Sequence, residues 1–436
     1  MKLSKYQIII IAVVLAIVLF TVLALLGVFK KDKVSENPYL PTSQITLSLW
    51  GYGISGVAIN DIVSAYQQSE PLAKNVKIAY REFPNRESYE QELLYALAEG
   101  RGPDVFMIQS SDTYQKASTL YPAPENFISP QTFSEYFPQV VFDDGVFSSS
   151  GKSYVYMSPL HLDVLGLIYN KDIFDGAGIV FPPTTWGEVV SVSNQLKQTG
   201  SQGGIVRAGI SLGGVKNISH LDALLYALFF QNSSRFFDQA KQEVRFDDQS
   251  RQAIEFYTQF SNPLHPYYTW NESMKRDLEA FTDGSTAMMI GTLGSLREIQ
   301  EKNPFLRVGI SPLPQVSSDP GLFRTTGIYT FLGVSRQTAY PATAWHVVRA
   351  LTMTALNDLY REKTDTYPAL KQRISVYDGA NKNIVTSFLG ARSWHKPAQE
   401  KMLPILQQLL LDIRERGLDI NRALKAAQEK INALYK

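Results

Sequence analysis

The sequence predicts an α/β fold in which a parallel sheet is covered by helices. Residues 44–50 (QITLSLW) and 76–83 (VKIAYREF) alternate apolar and polar positions, and 105–108 (VFMI) is a short apolar run. Period-two alternation marks a strand with one buried face, and a short apolar run is consistent with burial on both faces. Between these stretches, 57–68 and 88–99 have helical spacing. The second sets Leu93, Leu94 and Leu97 on one face and stops at Gly100. Strands separated by helices pair in parallel, and their ligands bind beyond the carboxyl ends of the strands. The loops 51–56 and 109–114 are therefore the first places to look for a site.

The pattern resumes further along. Residues 165–169 are apolar. Thr184 or Thr185 caps a helix that begins near Trp186, with Glu188 in its first turn. Strands are expected at 206–212, 287–290, 307–310 and 329–334, and helices at 221–231 and 342–354. The C-terminal stretch is helical, with Leu424, Ile431 and Leu434 as apolar positions. There is no internal repeat.

Composition narrows the function. The 436 residues carry 42 Lys+Arg against 41 Asp+Glu, a net charge of +1, so no basic excess points to nucleic acid. The absence of cysteine removes disulfides, thiolate metal sites, thiol catalysis and a lipidated N-terminal Cys together. Residues 8–29 are uncharged and almost wholly apolar. As a helix they would span roughly 33 Å, enough for a hydrocarbon core of about 30 Å. The run is longer than a signal peptide's apolar region and no A-x-A site follows it. An uncleaved membrane anchor over 1–30 is expected, with a cleaved signal as the alternative, then a polar, Pro-containing tether over 31–43.

The chemical motifs are weak. The 5 histidines form no H-x-x-H or H-E-x-x-H pair, so no local zinc site is expected. Gly209, Ser211 and Gly213 match the G-x-S-x-G elbow of hydrolases, but a loop and not a helix follows, and a strand end turning on glycines is the better reading. Glu82, Asp112 and Asp163 could be imagined as a glycosidase carboxylate pair, yet carboxylates beside aromatics serve equally to accept hydrogen bonds from sugar hydroxyls. Tyr267 and Tyr268 lack further marked ligands for ferric iron. No cofactor, no metal and no enzymatic activity are expected.

Seven segments, LSLWGYG (47–53), AEGRGPDVFMI (98–108), GKSYVYMSPLHLDVLGLIYNKDIFDGAGIVFPPTTWGEV (151–189), AFTDGSTAMMIG (280–291), VGISPLPQ (308–315), RSWHKPAQ (392–399) and ALKAAQEKIN (423–432), occur in one order along the chain. Together they resemble the extracellular solute-binding proteins of carbohydrate ABC transporters, the maltose-binding-protein-like family. The resemblance implies a two-lobed periplasmic-binding-protein-like fold of type II with hinge crossovers, over 44–436. Lobe one would hold about 44–157 and 306–350, and lobe two about 162–300 and 355–436.

The resemblance also implies a role for each candidate. Asp163 falls where the crossover strand supplies an acidic sugar-binding residue, and Trp394 where an aromatic stacks on the sugar. Asp112 or Ser111 falls at the polar position after the third strand, and Tyr52 in the loop after the first. Trp186, in P-x-T-W, is structural in the family, and Asn170 and Asp104 belong to the similarly placed YNKD and PDV motifs. After AMMIG the family often has a stacking Trp; here Thr292, Leu293 and Gly294 stand instead, and Trp270 or Tyr329 could replace it. The implied function is capture of a sugar or oligosaccharide by a monomer and its delivery to ABC permease subunits. A sensor or adhesion module of the same fold, or a binder of a non-sugar solute, is the alternative.

Overall fold

The computed structural model describes residues 38–319 and 323–435. The expected membrane anchor lies outside the described residues, and among these no helix is long and apolar enough to cross a membrane.

The first lobe is built on a five-stranded sheet. Its order is Val76–Phe83, Ile45–Tyr52, Val105–Gln109, Thr330–Val334, Met157–His161. The first three strands are parallel, with Leu47 opposite Ile78 and Trp50 opposite Phe106. Thr330–Val334 returns antiparallel, placing Leu332 opposite Met107. The helices Gly56–Ser69 and Arg86–Ala98 supply the expected crossovers. Ser55 and Asn85 cap their first turns by accepting from Ala58 and Ser88. Leu93 is buried as expected, but Leu94 is 61% exposed, because it stands at the mouth of a cleft instead of against the sheet.

The second lobe holds a three-stranded antiparallel sheet, Met288–Gly291, Gly166–Asn170 and Val308–Pro312. The expected strand over 206–212 is shorter. Ile205–Arg207 forms a hairpin arm, and only single bridges at Ala208 and Ser211 join the following residues to the sheet. Helix Leu221–Gln231 falls where its unbroken apolar run placed it and is buried on nearly every side. Helix Trp186–Leu196 starts with a capping box between Thr185 and Glu188.

The division between lobes differs from the expected one in two places. Val308–Pro312 pairs with Gly166–Asn170 in the second lobe's sheet, although residues from 306 onward are expected in the first. Helix Ala355–Thr364 packs against Gly56–Ser69 and Pro341–Met353 of the first lobe, although residues from 355 onward are expected in the second. Short amphipathic helices fit either core, so the sequence pattern cannot allot them.

Three crossing segments lie side by side at the hinge. Val164 bridges Gly327, the Ile328 N–H donates to the Asp163 carbonyl at 2.9 Å, and Thr325–Thr326 pairs in parallel with Ala391–Arg392.

Candidate functional site

Between the lobes lies a cavity of about 780 Å³, and none of the residues lining it is aromatic. Its first-lobe wall forms where the parallel strands end. Arg86 opens the helix after the second strand; Ser111 and Asp112 follow the third. The Arg86 guanidinium donates to Asp112 Oδ2 at 2.6 Å and to Ser111 Oγ at 3.1 Å. It also reaches across the cleft to Gln399 Oε1 at 2.8 Å. The Gln399 N–H approaches Asp112 Oδ1 at 3.4 Å, and Gln399 Nε2 donates to Asp222 Oδ1 at 3.2 Å. The Gln399 carboxamide thus joins a cation of one lobe to a carboxylate of the other, while its backbone N–H faces Asp112.

Tyr52 stands beneath this wall, packed on Tyr89 with ring centroids 5.1 Å apart, and accepts from Gln109. Burial pushes its phenol up to about 12, so it remains a neutral hydroxyl at working pH. Tyr329 donates to Asp144 Oδ2 at 2.7 Å and to the Val140 carbonyl at 2.9 Å. Asp144 Oδ1 accepts from Ser393 Oγ at 2.7 Å, tying the third crossing segment to the first lobe. Burial raises the Asp144 carboxyl above its ordinary range, while Lys396, Ser393 and Tyr329 pull it back.

Asp163 is occupied by backbone. Its Oδ1 accepts from Leu293 N at 3.0 Å and its Oδ2 from Gly294 N at 2.9 Å, the first turn of helix Leu293–Lys302. Burial raises this carboxyl and those N–H groups oppose the shift. Thr292 caps the same helix by accepting from Ser295 N at 3.2 Å. The structure therefore brings Asp163, Thr292 and Leu293 into one unit, in which the side chain of Asp163 braces a helix.

Trp394 is only 6% exposed and is surrounded by Tyr226, Phe236 and Phe237, with centroids 5.3, 5.2 and 4.9 Å away. A sugar stacked on it would need an open ring face, which this packing does not leave. Trp270 is buried in the second core, its indole donating to Asn217 at 3.1 Å. No hydrogen bond or ring contact joins it to the other candidates among the described residues. Trp186, Asn170 and Asp104 hold structure. The Trp186 indole donates to Gln231 at 2.7 Å, Asn170 caps a helix through Ile173 N, and Asp104 accepts from Ser48 and Thr338.

The G-x-S-x-G match has a packing cause. A Cβ on Gly209 would lie 2.1 Å from the Ser193 carbonyl oxygen, and Ser211 is buried and turned to the Met288 carbonyl. No group of three or more metal-ligating side chains occurs among the described residues.

Arg86, Asp222, Tyr226 and Gln399 were not singled out from sequence. Arg86 had a usable signal, since it follows the second parallel strand as directly as the watched loops follow the first and third. Asp222 had one as well, as the lone charge in LDALLYALFF.

The chain belongs to the bacterial extracellular solute-binding protein family, whose model matches residues 54–355. No curated protein matches the sequence. Among solved structures, a solute-binding protein of Thermotoga lettingae bound with α-D-tagatose is 18% identical, with a TM-score of 0.69 over 90% of this chain and 100% of that one. A substrate-binding protein of Listeria monocytogenes in complex with cycloalternan is 16% identical, with a TM-score of 0.69 over 90% and 99%. A cyclo/maltodextrin-binding protein complexed with maltotetraose is 14% identical, with a TM-score of 0.71 over 90% and 98%. At these identities the likeness is one of two-lobed fold.

Proposed function

We propose that this protein captures a sugar or oligosaccharide between its lobes and delivers it to the permease subunits of an ABC transporter. The observation that carries the reading is the cleft itself: a cavity at the carboxyl ends of the first lobe's parallel strands, bridged by Gln399 between Arg86 and Asp222. A hinge with opposing hydrogen-bonding walls closes on a ligand by binding free energy alone. The sugars held by the similarly folded proteins give the ligand class. The apolar segment 8–29 would act as a single-pass anchor that keeps a monomeric binding domain on the extracytoplasmic face, close to the permease.

The test is thermal unfolding of the full chain in detergent with a panel of mono- and oligosaccharides. Ligand at a hundred times its Kd adds about 2.7 kcal/mol of stability, a shift of a few degrees for a chain of this size. A flat response to every carbohydrate would remove the sugar from the assignment.

A further inference from the structure

Several polar groups of the second lobe are buried beside the cleft without the partners that burial ordinarily demands. Asp222 is 5% exposed, and among the described residues its carboxylate accepts only from Gln399. Tyr226 lies one helical turn later on the same face and is 2% exposed, and its hydroxyl has no hydrogen-bond partner. The Trp394 indole N–H, whose ring packs on Tyr226, has none either. Nor does the Thr326 hydroxyl, on the crossing strand against which helix Leu221–Gln231 packs. On the order of 90% of buried polar groups in folded proteins are paired. Four under-bonded groups at one junction are therefore a concentration that calls for a cause.

Asp222 is joined to the cleft lining through Gln399, which also meets Arg86; Tyr226 follows one turn along the same helix, and Trp394 packs on Tyr226. Gln399 itself shows what fits between the walls. Its carboxamide offers one acceptor to Arg86 and one donor to Asp222. A pair of neighbouring sugar hydroxyls offers the same combination.

We infer that Asp222, Tyr226, Thr326 and Trp394 form a subsite that reads the hydroxyls of a neutral sugar by hydrogen bonds, with Trp394 acting through its N–H and not as a stacking platform. The inference rests on the sugar-capture reading and assigns it a wall. Asp222 accepts, while Tyr226 and Trp394 donate. Burial, with the charge of Asp222 added, holds the Tyr226 phenol well above its ordinary range, so it keeps its proton. Asp112 is neutralised by Arg86, whereas the buried Asp222 has no cation paired with it among the described residues, so it disfavours an anionic sugar and favours a hydroxyl donor.

The experiment follows thermal unfolding of the full chain in detergent by circular dichroism, with maltotetraose, mannobiose and D-tagatose as neutral probes and galacturonate as the anionic one. Wild type should shift upward by several degrees with a neutral probe and not with galacturonate. Tyr226→Phe and Asp222→Asn should lose most of that shift. The ligand-free midpoint of Tyr226→Phe should stay level or rise, because the change removes a buried hydroxyl that lacks a partner. Retention of the full shift by Tyr226→Phe would overturn the inference, as would a shift with galacturonate alone. If no sugar moves wild type, the capture reading falls, and the ligand-free arm still decides the subsite. A drop of several degrees in Tyr226→Phe without ligand would show a phenol that is satisfied within the fold.

Discussion

The two walls of the cleft treat buried polar groups in opposite ways. On the first lobe the buried carboxylates beside the cleft have partners: Asp112 meets Arg86, and Asp144 accepts from Tyr329 and Ser393. On the second, Asp222 has one partner, and Tyr226 and Trp394 present donors with none. A saturated wall is rigid and adds little to a newcomer, whereas an under-bonded one can gain from a ligand that supplies what is missing. On the proposed reading, the first lobe positions the ligand and the second recognises it.

The most damaging way to break the saturated wall is Asp144→Ala. It leaves Ser393 without its acceptor and the buried Lys396 without a nearby counter-charge. Losing one side of such a buried arrangement costs about 3–5 kcal/mol. Urea unfolding should show an unfolding free energy lower by that amount; an unchanged value would mean that the wall is not held by these bonds.

Acid should weaken the same lobe. His161 lies 3.0 Å from the Tyr360 hydroxyl, and burial, with Arg297 adding to it, lowers its pKa from 6.5 to about 4. Between those values the unfolded chain binds the proton and the folded one does not, so stability falls as pH drops through the window. The loss is at most about 3 kcal/mol. His161→Phe should flatten the dependence of unfolding free energy on pH across this range.

Arg86→Ala tests the bond between the walls. It strips the buried Asp112 of its cation at a site where Arg86 is partly exposed, for a cost of about 1–3 kcal/mol. It also frees Gln399, so small-angle scattering of the ligand-free protein should report a more open molecule than wild type. The smallest effect is expected away from the cleft. Thr185→Ala removes a capping box that is fully formed, at about 1 kcal/mol. A similar small loss there, beside a level or raised midpoint in Tyr226→Phe, would show that under-bonding in the second lobe is local to the wall.

Much of the first sheet was legible because its signals are local. Alternation in VKIAYREF, the short run VFMI and the glycine that ends the helix at 100 are each read within a few residues. The site was legible only in part. Asp112, Ser111 and Tyr52 stand where strand ends placed them, but the stacking role expected of Trp394 meets a ring enclosed by three others. Asp163 lies at the crossing as expected, with its carboxylate engaged by the N–H groups of Leu293 and Gly294.

Sequence alone determined the order of strands and helices, the caps that start them and the exclusion of thiol chemistry, since all of these depend on neighbours in the chain or on composition. Only the tertiary structure decided which polar groups find partners. Arg86 and Gln399 stand 313 positions apart and Asp163 and Leu293 130 apart, and no local pattern encodes such a meeting. The unspent hydrogen bonds of Asp222, Tyr226 and Trp394 arise in the same way. They are set by how a helix, a crossing strand and a second lobe pack together, a geometry that exists only once the lobes have folded.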